Sequence, residues 1–215
     1  FDAYYGVQNV ARKVKMLNAD QYKTIMDEQA LNSGSSLYDW ESMGELANID
    51  WVSQMFKNDA KTENYSFNVN GGSDASVYSL SLNYTSQEGV VGGSAVSNYE
   101  RYGFRINTEH KLYKDFLKIG QHLNFNYIKN TGISVGNQYN NTLRGAFGTS
   151  PLSPVYSDNN IYDSPFNDTS NSAWYKGDGN PYGAMMTNVN NKNDNQKLMA
   201  DIYAELQPIK NLKIK

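Results

Sequence analysis

The chain has 215 residues, no cysteine and a formal net charge of -3 at pH 7, with 39% hydrophobic and only 19% charged residues. Its polarity comes from uncharged side chains, and its 17 Tyr, 8 Phe and 3 Trp exclude generic disorder, which goes with high net charge and few aromatics. A pI near 5.4 argues against nucleic acid as a partner. No apolar run is long enough for a membrane-spanning helix, whereas the alternating strands of an outer-membrane barrel remain compatible with this composition.

The first part of the chain predicts one strand followed by a helical connection. Residues 1–8 form a short aromatic stretch typical of a strand. Asn18 predicts the N-cap of a helix that ends at Leu31, and Asp50 predicts the N-cap of a second, short helix up to Lys57. Residues 9–62 are therefore interpreted as a connection with a small helical insert near residues 18–57.

After residue 62 the sequence alternates with a period of two, which sends successive side chains of a strand to opposite faces. This pattern predicts a four-strand meander over residues 63–129 and a further strand pair over residues 197–215, with Pro208 ending the first strand of that pair. The fold class is mainly β, an antiparallel up-and-down meander. Four polar side chains of these strands are expected on one face: Arg105, His122, Asn124 and Asp201.

The predicted connections alternate in length along the meander. Short turns fall at residues 71–75, 112–116 and 207–211, and long connections at 8–62, 87–98 and 130–196. Alternate connections of a meander lie at the same end, so one end carries tight turns and the other long loops, as in outer-membrane barrels.

The connection at residues 130–196 is rich in Asn and aromatic residues. Aromatic rings pack on the apolar faces of sugars while amides and carboxylates bond their hydroxyls, which predicts a glycan-contacting surface. Packing of the loop on itself or against a partner lid is an equally weighted alternative. The candidate ligand-contacting residues are Trp174, Tyr175, Tyr156 and Tyr162.

No motif in the sequence predicts catalysis. His110 and His122 lie in predicted strands without any cysteine, and neither a nucleophile elbow nor a zinc-protease motif is present. Clustered Asp and Asn at residues 157–160 and 176–180 offer oxygen ligands for a hard cation, but turn formation explains them better. We therefore expect no enzyme activity, no cofactor and no metal.

Several stretches resemble a known family, the SusC/RagA-type TonB-dependent outer-membrane transporters. The most specific match runs from residue 64 (NYSFNVNGG) through Tyr78–Tyr84 to residue 89. Further matching stretches are 4–10 (YYGVQNV), 17–22 (LNADQY), 49–51 (IDW), 98–107 (NYERYGFRIN), 117–127, 179–182 (GNPY) and 202–206 (IYAEL).

The resemblance implies a place for each segment in a bacterial outer-membrane barrel. Residues 1–8 would be a truncated first barrel strand after the plug domain, residues 9–62 and 130–196 extracellular connections, and residues 197–215 a truncated strand pair. The chain would then be a fragment of the barrel, and in isolation an open sheet. The resemblance implies that the apolar faces meet lipid or detergent and that Arg105, His122, Asn124 and Asp201 face the lumen or plug. Aromatic girdles are expected at the outer strand ends (Tyr84, Tyr99, Tyr102, Tyr127) and at the inner ones (Tyr113, Phe116).

The implied function is nutrient import powered through the TonB complex. The cargo would be an oligosaccharide, with an oligopeptide as the alternative, and a SusD-like surface lipoprotein would be the partner. A rival interpretation from another class is a soluble β-rich glycan-binding module, in which the face with Tyr78, Leu80, Leu82 and Tyr84 covers an inner core. Dependence on detergent separates the two.

Overall fold

One antiparallel sheet of seven strands, in the order of the sequence, is the framework of the computed structural model. The structure describes residues 1–113, 116–137, 139, 141–156 and 179–215. The first and last strands do not pair with each other, so the sheet is open, which confirms the predicted mainly β, antiparallel up-and-down meander. The strands are β1 (Asp2–Gln8), β2 (Ala60–Gly72), β3 (Ser76–Glu88), β4 (Asn98–Leu112), β5 (Leu117–Thr131), β6 (Lys192–Ile209) and β7 (Leu212–Ile214).

The two predicted helices lie in the connection between β1 and β2. Helix α1 (Ala19–Asn32) has Asn18 as its N-cap, whose side chain accepts from the Gln21 N–H at 2.9 Å while the Gln21 side chain accepts from the Asn18 N–H. Helix α2 (Trp51–Met55) has Asp50 as its N-cap, which accepts from the Ser53 N–H at 3.0 Å. Both predicted caps are confirmed.

Two further helices lie in the connection between β5 and β6, where the sequence pattern indicates only a long loop. Helix α3 (Thr142–Gly148) is capped by Asn141, and helix α4 (Pro181–Thr187) is capped by Asn180 with Pro181 at its first position. A 3-10 turn (Asn188–Asn190) then leads into β6. None of the described helices is long and apolar enough to cross a membrane.

Pro208 does not end β6, contrary to the prediction. The strand continues to Ile209, and its pairing with β7 is irregular between Leu206 and Ile209. Proline lacks an N–H, so an irregular edge position is where a strand tolerates it.

The three long connections meet at one end of the sheet and form a unit that we call the cap. Its core joins Trp51 and Met55 of α2 to Val96 of the β3–β4 connection and to Ala146 and Met185 of α3 and α4. The Trp51 indole N–H donates to the Ser150 carbonyl at 2.9 Å. Apart from Ala60 at the start of β2, the buried apolar side chains of the described residues all belong to these connections. The packed core of the chain therefore lies in the cap, not in the sheet.

Trp51 should be the side chain on which the cap depends most, because it is 2% exposed and bridges two connections. We expect Trp51→Ala to destabilise the cap by about 3–5 kcal/mol, the usual cost of truncating a buried aromatic. Trp51→Phe should destabilise the cap less than Trp51→Ala, because it removes the hydrogen bond but only part of the packing. Hydrogen exchange of the α2 amides in the whole protein measures both effects.

The half-buried Trp40 supplies a matched control, because it stacks on Tyr38 with ring centres 4.8 Å apart but lies at the edge of the cap. Trp40→Ala should change α2 exchange much less than Trp51→Ala. Equal exchange rates in the two variants would contradict the central position of Trp51.

Candidate functional site

The two faces of the sheet differ sharply in chemistry. Directly opposed residues of neighbouring antiparallel strands lie on the same face, so the strand pairings show which side chains each face carries. Along the top of one face runs a row of tyrosines in which each residue opposes the next across the strands. Their successive ring centres are 6.1, 5.0 and 6.3 Å apart. This tyrosine row consists of Tyr65, Tyr84, Tyr102 and Tyr127.

Below the tyrosine row the same face is mainly apolar, and we call it the apolar face, although Thr108 opposes Gln121 and Ser76 opposes His110 on it nearer the short turns. The next row towards the short turns contains Phe67, Leu82, Phe104, Phe125 and Leu198, and the one below contains Val69, Leu80, Ile106, Leu123 and Ala200. These side chains are accessible: Leu198 is 63% exposed and Phe67 44%. The described part of the chain therefore leaves this face without a second packed layer.

The tyrosine row differs from the predicted outer girdle at one position. Tyr99 opposes Gln87 and Asn130 and lies on the other face of the sheet. It is an odd number of residues from Tyr102 in a regular strand, which fixes it on the opposite side. Tyr65 of β2 takes the fourth place in the row.

The opposite face, which we call the polar face, carries all four polar residues selected from the sequence. Arg105 opposes Asn124, and His122 opposes Asp201. The His122 Nδ1 and Asp201 Oδ2 atoms are 2.8 Å apart and both side chains are solvent-accessible. The predicted shared face is therefore observed, whereas its role as a lumen surface stays a prediction.

The sequence pattern does not indicate the network that surrounds Tyr203 on the polar face. The Tyr203 hydroxyl donates to Glu109 at 2.8 Å, and Lys118 forms an ion pair with the same carboxylate at 3.1 Å. The Tyr203 ring stacks on His122 with centres 5.6 Å apart and covers Gly120, its cross-strand partner. The signal in the sequence is Gly120, an interruption in β5 that leaves room for a large ring on the neighbouring strand.

Of the four candidate ligand-contacting residues, the structure describes only Tyr156. It is exposed at the cap and meets Tyr182 of α4 edge to face, with ring centres 6.3 Å apart. Trp174, Tyr175 and Tyr162 lie outside the described residues, as do most of the Asp and Asn positions considered for a cation. Within the described ranges, no group of three or more His, Cys, Asp or Glu residues could hold a metal ion.

Comparison with known proteins identifies relatives of one kind. The chain is 29% identical over 205 residues to TonB-dependent receptor P26 of Formosa agariphila, covering 95% of this chain and 19% of the relative. It is 32% identical over 120 residues to TonB-dependent receptor SusC of Bacteroides thetaiotaomicron, covering 54% of this chain and 11% of the relative. The chain thus spans about a fifth or less of the length of these curated relatives. No protein-family model matches it.

Among solved structures, the fold resembles part of the RagAB peptide transporter. The TM-score is 0.66 at 18% identity, and the match covers 98% of this chain and 26% of that one. Together with the sequence relatives, this confirms the resemblance to SusC/RagA-type TonB-dependent transporters, and the open sheet corresponds to a piece of such a barrel.

The contact between Tyr203 and Gly120 gives a prediction for the polar face. A Cβ at residue 120 would collide with the Tyr203 ring, so Gly120→Ala should displace the ring and break its hydrogen bond to Glu109. We expect a loss of about 1 kcal/mol in the free energy of unfolding, the scale of a cross-strand pair. Urea unfolding of the whole protein in detergent measures this loss.

Gly103→Ala is the matched control on the same face, because the nearest atom to its Cβ would be the Asn126 Oδ1 at 3.3 Å. Gly103→Ala should lower the free energy of unfolding less than Gly120→Ala does. In a Tyr203→Ala background the cost of Gly120→Ala should disappear, and a cost that persists there would refute the assignment to the ring.

Proposed function

We propose that this chain is part of the wall of an outer-membrane TonB-dependent nutrient importer, with the apolar face towards lipid and the polar face towards the lumen or plug. The carrying observation is the pair of wholly apolar rows directly below the tyrosine row, one from Phe67 to Leu198 and one from Val69 to Ala200. In a barrel that spans the outer membrane, an apolar band faces lipid and aromatic girdles mark its borders.

The height of the apolar face fits this placement. From Tyr102 to Leu112, β4 rises about 34 Å at about 3.4 Å per residue. At a strand tilt of about 40° that length corresponds to a band about 26 Å tall, close to the ~25 Å of outer-membrane barrels. The lower border of the band contains Leu112, Leu117 and Leu206, with Tyr113 and Phe116 exposed beside it.

The two ends of the sheet differ as they do in such barrels. The turns after β2, β4 and β6 are short, whereas the connections after β1, β3 and β5 form the cap. Short turns are periplasmic and long loops extracellular in outer-membrane barrels. This supports an extracellular position for residues 9–62 and 130–196, with the strands of residues 1–8, 63–129 and 197–215 as wall.

The polar face suits an aqueous lumen or a plug surface. Arg105, His122, Asn124 and Asp201 carry donors and acceptors that would be costly against lipid, and they share one side of the sheet. We propose that they line the lumen or contact the plug, and that none of them is catalytic.

The cargo is proposed to be an oligosaccharide, with an oligopeptide as the alternative. One relative is SusC and the compared structure is described as a peptide transporter, so the relatives support import without deciding between the two. The proposed partners are a SusD-like surface lipoprotein seated on the extracellular cap and the TonB complex, reached through parts of the transporter outside this chain. The rival soluble glycan-binding module has no support from the relatives, and the exposed apolar face argues against it.

Placing a charge at the middle of the apolar face tests the lipid-facing assignment. Leu123 lies midway down the band, so Leu123→Lys should cost about 2–4 kcal/mol in a bilayer, the penalty for a cation near the membrane centre. Urea unfolding of the whole transporter in lipid vesicles measures this cost.

Asn124 is the adjacent residue on the polar face and provides the control. Asn124→Lys should change the unfolding free energy by less than about 1 kcal/mol because its side chain would meet water. Similar costs for the two lysine variants would rule out opposite environments for the two faces.

The ligand-contacting assignment of Trp174, Tyr175, Tyr156 and Tyr162 is tested by removing the largest ring. In the intact transporter, Trp174→Ala should weaken binding of the cargo oligosaccharide at least tenfold, which corresponds to the loss of a ring contact worth about 1.4 kcal/mol. Isothermal titration against glycan and peptide pools measures the change. Tyr139→Ala, at a position of the same connection that is 83% exposed, should bind as the unaltered protein does. Unchanged affinity of Trp174→Ala would remove the contact role.

A further inference from the structure

Three cations on the polar face have no acidic partner. Arg101 and Arg105 lie four residues apart on β4, and Lys197 of β6 lies on the row between them, which passes through Gly103 and Asn126. All three side chains are exposed, and no ion pair joins any of them to an acidic residue within the described ranges. We call Arg101, Arg105 and Lys197 the cationic patch.

No acidic side chain stands among the cations of this patch. The three rows of the sheet that contain the cationic patch and Gly103 hold no Asp or Glu from β2 to β6. In the next two rows towards the short turns, Asp201 and Glu109 already pair with His122 and Lys118. Asp2, at the β1 end of one row, lies three strands from β4. The patch is therefore a positive surface on a chain whose formal net charge is -3.

Gly103 makes a bare floor at the centre of the cationic patch. Gly120 differs from it, because the Tyr203 ring covers Gly120. The three atoms nearest to a Cβ at Gly103 would instead belong to Asn126 and Asn83, at 3.3, 3.5 and 3.8 Å. A glycine inside a strand weakens it and often marks a place where a ligand approaches the backbone closely. The two asparagines flank this floor with amide donors and acceptors.

The dimensions of the patch suit sugar rings placed between charges. Arg101 and Arg105 are about 14 Å apart along the strand at about 3.4 Å per residue, and Lys197 lies two strands, about 10 Å, to the side. Arginine holds oxyanions such as carboxylates with paired N–H donors, whereas amides bond hydroxyl groups. Cations at the edges, with amides beside a bare backbone in the middle, therefore match a chain of sugars that carries acidic groups.

We propose that the cationic patch binds an anionic oligosaccharide, one that carries carboxylate or sulfate groups, as the cargo of the importer. The patch pairs with the acidic groups, while Asn83 and Asn126 bond the hydroxyls of a ring seated on Gly103. An acidic side chain of the plug would pair with the cations but would leave the amides and the bare glycine unused. The inference rests on the proposed function, because it needs the polar face to line the lumen.

The height of the patch agrees with contact to incoming cargo. Gly103 adjoins Tyr102 of the tyrosine row, so the patch lies at the level of the proposed outer girdle. This is the end of the lumen nearest the cap, and cargo that enters from outside reaches it first.

The test uses the whole transporter, purified in detergent and titrated calorimetrically with hexasaccharides of different charge. Hexagalacturonate carries carboxylates, a chondroitin sulfate hexasaccharide carries sulfates, and maltohexaose is neutral. At least one acidic probe should bind more tightly than maltohexaose, and added salt should weaken only acidic binding. Arg105→Gln should weaken acidic binding about tenfold, the scale of one charge-assisted hydrogen bond, and Arg105→Lys should weaken it less.

Two lysines of β6 supply the matched control. Lys197→Gln removes a charge from the patch and should weaken binding of the acidic probe several-fold. Lys192→Gln makes the same change on the opposite face and should bind as the unaltered protein does. Gly103→Val fills the floor while keeping all three charges, so its loss of affinity separates the seat of the ring from the charge of the patch.

The contrary outcomes are distinct. Binding of neither acidic probe, or equal affinities in Lys197→Gln and Lys192→Gln, would overturn the anionic cargo. Unchanged probe affinity in Arg105→Gln together with faster proteolysis of the plug would show that the patch holds an acidic plug segment instead. Tighter binding of hexaglutamate than of both acidic sugars would assign the patch to peptides. A transporter that does not fractionate with the outer membrane would contradict the proposed function itself.

Discussion

A one-residue shift in the pairing of any strand would move all of its apolar side chains to the other face of the sheet. Each pair from β1–β2 to β5–β6 keeps a regular register, so tyrosines oppose tyrosines and Phe104 opposes Phe125 across neighbouring strands. The same register collects Arg105, His122 and Asp201 on the reverse side. The separation of the two faces is therefore a property of five pairings taken together.

The position of the buried core follows from this separation. A sheet with one apolar and one polar face buries little by itself, and the described chain supplies no second layer for its apolar side. The buried side chains lie in the cap instead, where Trp51, Val96 and Met185 from three connections meet. The cap is also tied to the sheet, because Lys57 forms an ion pair with Glu88 at the end of β3 at 3.3 Å.

Local patterns in the sequence predicted the strands, the caps at Asn18 and Asp50, and the shared face of Arg105, His122, Asn124 and Asp201, because these depend on neighbours along the chain. The predicted outer girdle wrongly included Tyr99, because the prediction used only its position near the end of the strand. Its odd spacing of three residues from Tyr102 puts it on the opposite face. Helix α4 was missed although Asn180 followed by Pro181 is a helix-start signal. The contact between Tyr203 and Glu109 depends on which residues of β4, β5 and β6 stand side by side, which periodicity alone does not determine.

Strand length links the wall to the cap. A tilted strand needs about 9–11 residues to cross a bilayer, whereas β4 and β5 each have 15 residues and β6 has 18. With Leu112 at the lower border and Tyr102 at the upper, the surplus of β4 lies above the tyrosine row, where Asn98 and Glu100 stand beside the residues of the cap. The strands thus continue beyond the apolar face, so the cap and the apolar rows are held by the same hydrogen-bonded ladder.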